Sequence, residues 1–87
     1  MDTTKILIEL AGWTGSVAIV GAYAGLSYGR LSPHSSFYQG LNFWGSIGLI
    51  LNTGYYKAYP SMVVNIIWVA IAGWAWYTLY KKKQSVV

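Results

Sequence analysis

The side chains able to do acid–base, nucleophilic or metal chemistry are few and far apart in this chain. One histidine, His34, and two acids, Asp2 and Glu9, are present, and there is no cysteine. His34 has no ligating partners nearby in the sequence, so no metal set can be assembled, and thiolate and disulfide chemistry are closed. No serine or threonine has a base at a plausible spacing. These residues predict no enzyme, no metal site and no cofactor. His34, beside Pro33, fits a solvated loop position, with proton handling as the alternative. Glu9 lies four residues after Lys5, a spacing that suits an ion pair at an interface. The alternative is a proton-coupling acid within hydrocarbon.

What the chain does offer is uncharged polarity inside apolar runs. Gln39, Asn42 and Ser46 fall at i, i+3 and i+7 and share one helical stripe, with Asn52 further on. Asn65 lies in a third apolar run with Trp68 one turn later, and the first run carries Thr14, Ser16 and Tyr23. Amides of this kind serve either to bridge helices, at about 0.6–2 kcal/mol each, or to line a polar cavity for a small solute. Both readings stand for Asn42 and for Asn65. The candidate solute-binding set is Asn65, Trp68, Asn42, Ser46 and Tyr23. Because helical rise separates Asn42 from Asn65 by about 12 Å in depth, the two cannot hold the same small group.

The elements that position these residues follow from charge spacing. Of the 87 residues, 55% are hydrophobic and 9% charged, too few charges to coat so small a soluble domain. Between Lys5 and Arg30 the only charge is Glu9, and the runs from Arg30 to Lys57 and from Lys57 to Lys81 have none. A membrane-spanning helix needs about 20 mostly apolar residues. Three fit, at about 6–28, 35–55 and 60–80, giving an all-α membrane protein whose single domain, residues 1–87, is a three-transmembrane-helix bundle. A cleaved signal is disfavoured, since Asp2 precedes the first run and the run is too long.

Local signals mark the ends. Ser32 is placed to cap the second helix with Pro33 at its first position, Pro60 to open the third, and Gly29 to stop the first in a left-handed conformation. The tail after Lys83 is expected to fray. Arg30 with Lys81, Lys82 and Lys83 outweighs Lys5 and Lys57, which predicts an outward N-terminus and a cytoplasmic C-terminus. The lysines meet anionic lipid rather than nucleic acid. Gly21, Gly25 and Gly29, and Gly12 with Ser16, offer small surfaces for close helix approach.

The order of these features resembles the bacterial SemiSWEET half-transporters of the PQ-loop superfamily, over about Leu10 to Lys81. The closest local match is Tyr59-Pro60-Ser61-Met62-Val63-Val64-Asn65, joined by the entry Ser32 to Tyr38 and by Gly45. Tyr23-Ala24-Gly25 occupies the region where that superfamily has its Pro-Gln pair. The chain also looks like a group of short, uncharacterised bacterial membrane proteins, through Gly12-Trp13, Phe37-Tyr38-Gln39-Gly40-Leu41-Asn42 and Asn65-Ile66-Ile67-Trp68. The first resemblance implies a solute-facing Asn65 and a parallel homodimer in the bacterial inner membrane, moving a small polar solute by alternating access. The rival expectation is a non-transporting accessory or assembly subunit of a larger membrane complex. A third is a lipid-binding module.

Overall fold

The computed structural model describes residues 2–86, with side chains through Lys82. The chain forms three helices: α1 (Thr3–Ser27), α2 (Ser36–Tyr55) and α3 (Tyr59–Val86). Asp2 caps α1, its carboxylate accepting from the Lys5 N–H at 2.8 Å. Gly29 ends it at φ +75°, with the Arg30 N–H bonded to the Gly25 carbonyl at 2.8 Å and the Gly29 N–H to that of Leu26 at 3.1 Å. This is the expected left-handed stop.

The start of α2 departs from expectation. Ser32 does not cap it. The Ser32 carbonyl accepts from the Ser35 N–H at 2.9 Å and its hydroxyl from the His34 N–H at 3.1 Å. That closes a tight turn with Pro33 at its second position, where the fixed φ belongs. Ser35 is the cap instead, its hydroxyl accepting from the Phe37 and Tyr38 N–H groups. Pro60 does stand in the first turn of α3, where no N–H is needed. The third helix was expected to end near Tyr80 and the tail to fray, yet α3 continues to Val86. Lysine and glutamine are good helix formers, so the end of an apolar run does not end the helix.

α2 packs against both neighbours, while α1 and α3 do not pack on each other. The α1–α2 contact is backbone against backbone. A Cβ at Gly15 would lie 2.5 Å from the Gly45 carbonyl oxygen, and one at Gly48 would lie 2.5 Å from that of Ala11. The expected Gly21, Gly25, Gly29 stripe does not form this seam. Gly21 faces open space, and Gly25 makes room for Leu31. The α2–α3 contact is made by side chains, with Phe43 edge-on to Trp76 at 5.7 Å and lying over Gly73.

The interior holds Ala22, Ala72, Asn42 and Ser46, while Leu, Ile, Val, Trp and Tyr side chains cover the outside. Two helices, α1 and α3, are long and apolar enough to cross a membrane.

Candidate functional site

At about 100° per residue, the polar and small residues of α2 divide into two faces. Ser46 lies about 40° from Asn42 on one side. Gly45, Asn52 and Gly48 lie about 60°, 80° and 120° away on the other. The first face meets α3 and the second meets α1.

Asn42 is 4% exposed. Its Nδ2 donates to the Tyr38 carbonyl at 2.9 Å, and its Oδ1 accepts from the Trp68 indole Nε1 at 3.0 Å. The amide thus ties α2 to α3, and two of the five residues singled out by sequence are brought into contact. Ser46, one turn along, is fully buried, and its hydroxyl has no partner among the described residues. Asn65 stands on α3 one turn before Trp68. It is half-buried, and its amide bonds to no described residue. Tyr23 is 60% exposed on α1, a helix that does not touch α3, and it joins none of the others.

The remaining polar groups are mostly absorbed locally. Gln39, expected on the Asn42 stripe, reaches back to the Pro33 carbonyl at 2.9 Å and fastens the loop. Thr14, Ser16 and Thr53 return their hydroxyls to carbonyls one turn earlier, which satisfies them within their own helix. Trp76 Nε1 donates to the Ser36 hydroxyl at 2.7 Å, a second α2–α3 tie that the sequence did not single out.

A second polar centre lies between α1 and α2, toward the N-terminal end. Asn52 Nδ2 donates to the Ile8 carbonyl at 3.0 Å. Glu9 is half-buried beside it, in a groove of about 310 Å³ shared with Gly12, Trp13, Ser16 and Leu49. The expected Glu9–Lys5 pair does not form among the described residues. Glu9 instead acts on Tyr56, just past the end of α2. The Tyr56 phenol pKa is raised, first by desolvation and then by the negative charge of Glu9. Asn52 was visible in the sequence as a polar residue in an apolar run. Its angle from Asn42 was the signal that it serves a different neighbour. Among the described residues no cluster of His, Cys, Asp and Glu could hold a metal.

The arrangement defines an all-α, three-helix protein with polar ties at both seams of its central helix. The chain belongs to a protein family without a characterised activity, whose model matches residues 8–83. No curated protein and no solved structure matches the chain, so the half-transporter resemblance rests on the sequence features alone.

Proposed function

We propose that this is an integral membrane protein with three spans that pairs with a second copy and moves a small polar solute along the seam between them. Bulky apolar residues outside and small or polar residues inside suit a lipid surround, where helices associate by close packing and hydrogen bonds. α2 is 20 residues long, about 30 Å, and so matches the hydrocarbon thickness. It fails the apolarity that α1 and α3 meet, but both of them cover it. The excess of Arg30 and the C-terminal lysines puts that end in the cytoplasm, and the bacterial inner membrane is the setting.

The observation that carries the reading is Asn65. Its amide bonds to no described residue, on a helix packed on one side only. In hydrocarbon such a group needs a polar partner from outside the chain. Facing a second copy, Asn65 would touch the solute, with Trp68 as a wall held in place by Asn42 and with Ser46 behind it. Tyr23 has no part in this arrangement. The α1–α2 and α2–α3 seams are tied by hydrogen bonds, so rocking falls between copies rather than within one. The test is uptake of small polar solutes into proteoliposomes, with Asn65→Ala as control. Flux that falls several-fold in the variant supports the proposal; no flux for any solute, or equal flux, refutes it.

The accessory-subunit reading has its own support. Asn42, Asn52 and Trp76 all use their polar atoms to hold helices together, leaving Asn65 as a single contact point for a larger partner. Purification in mild detergent separates the two, a self-contained dimer favouring transport and a stable foreign partner favouring the subunit.

A further inference from the structure

The groove holding Glu9 plays no part in the function proposed above, and its construction points to a ligand. A carboxylate at the edge of an apolar helix is costly without a counter-charge or several donors. Here the neutral Tyr56 phenol is its polar neighbour, and it makes no ion pair among the described residues. Lys5, one turn earlier, makes no ion pair with it among the described residues. Asn52 is fixed by its bond to the Ile8 carbonyl, and its own Oδ1 takes no hydrogen bond from a described residue. Gly12 lets the Asn52 amide lie close against α1, because a Cβ there would run into it. Trp13, 70% exposed, stands at the mouth. A carboxylate, an unengaged amide oxygen and an indole ring place three acceptors in one groove, beside the Trp13 N–H and the second Asn52 N–H as its donors. An ammonium group satisfies all three, as a counter-ion, a hydrogen-bond donor and a cation over a ring.

We propose that the α1–α2 groove binds an ammonium group, carried by a small amine solute or by an amine lipid headgroup, with Glu9 as counter-charge, Asn52 Oδ1 as acceptor and Trp13 as wall. The site lies within one copy, so it needs neither a dimer nor Asn65. Amine binding and solute flux are therefore separate readouts.

The test uses the full chain in nanodiscs of phosphatidylglycerol, which has no amine, titrated calorimetrically with ethylammonium, tetraethylammonium and ethanol as the neutral control. The expected result is saturable binding of ethylammonium, weaker binding of tetraethylammonium, which has no N–H for Asn52 Oδ1, and none of ethanol. Glu9→Gln should weaken binding by about tenfold or more. Trp13→Leu, at an exposed position that the fold does not need, should weaken it by about two- to fivefold. Adding phosphatidylethanolamine identifies the source. A drop in apparent affinity for the free amine assigns the site to a headgroup, and no drop assigns it to a solute; both support an ammonium site. No saturable binding, equal binding by both variants, or sodium chloride reproducing the signal overturns the proposal.

Discussion

Alanine placed at Gly15 and at Gly21 is the same substitution on the same helix, and the structure assigns it opposite signs. At Gly15 the new Cβ would stand 2.5 Å from the Gly45 carbonyl oxygen and 3.3 Å from the Leu49 nitrogen. Ordinary contact begins at 3.4 Å, so the shortfall is 3.4 − 2.5 = 0.9 Å. The obstacle is backbone and cannot swing aside, so the two helices must separate by most of that distance. The same displacement stretches the Asn52–Ile8 bond, 3.0 Å at rest. Overpacking of this kind costs about 1–3 kcal/mol. Replacing a helical glycine returns about 0.5–1 kcal/mol, so Gly15→Ala should destabilise by up to about 2.5 kcal/mol. At Gly21 nothing lies within 4 Å, only the helix term remains, and the variant should gain about 0.5–1 kcal/mol. Reversible unfolding in mixed dodecyl maltoside and SDS micelles, followed by circular dichroism, reads both. Shifts of the same sign, or a stabilised Gly15→Ala, would refute the claim that the α1–α2 seam sets backbone on backbone. A concentration-dependent loss at Gly21 would mean that a second copy occupies that face.

Three further outcomes follow from the hydrogen bonds and the backbone. A double-mutant cycle of Asn42→Leu and Trp68→Phe should give a coupling of about 0.6–1.7 kcal/mol, as expected of an interhelical bond in a membrane setting. A value near zero in the same unfolding assay would remove the α2–α3 tie. Lys57 holds φ 59° at the end of α2, where a side chain is strained, so Lys57→Gly should stabilise by about 0.5–1 kcal/mol after its extra freedom in the unfolded chain is counted; a lower midpoint would contradict this. Ser35→Ala should cost about 1 kcal/mol as a lost cap, while Ser32→Ala, at an exposed turn, should cost much less, and the reverse order would return the cap to Ser32.

The same motif ends α1 and α2, yet only one of the two was legible. Past Tyr28 and past Tyr56 the chain repeats one pattern, with a left-handed residue and two backward hydrogen bonds: Arg30 to Gly25 and Gly29 to Leu26 in one, Ala58 to Thr53 and Lys57 to Gly54 in the other. Gly29 announces itself because glycine is the residue that this conformation favours. Lys57 does not, since lysine carries no such preference and its placement follows from tertiary packing. The amides divide in a similar way. That Asn42 and Asn52 must turn inward follows from their setting in an apolar run. Which neighbour each meets depends on an angle of about 80° between them and on α2 lying in the middle, and the order of packing is not written in the periodicity. Glu9 shows the limit most clearly. Local spacing permits Lys5 as its partner, but the group whose pKa it raises, Tyr56, comes from the far end of the next helix.

The central position of α2 explains why its amides are tolerated, and why a single copy leaves the Asn65 amide unmatched among the described residues. α2 is the helix with Gln39, Asn42, Ser46 and Asn52, and it is flanked on both sides. Each inward amide therefore finds an indole or a carbonyl on a neighbour. α1 and α3 have only one neighbour each, and their hydroxyls cope by bonding back along their own helices. That solution requires a side chain short enough to reach the preceding turn and able to donate to its carbonyl. The Asn65 amide has not taken it, even though Asn42, the same residue type on α2, does bond back to Tyr38. Asn65 is thus the asparagine whose whole amide bonds to no described residue, and its place on the same α3 stretch as Trp68 sets where a partner must arrive.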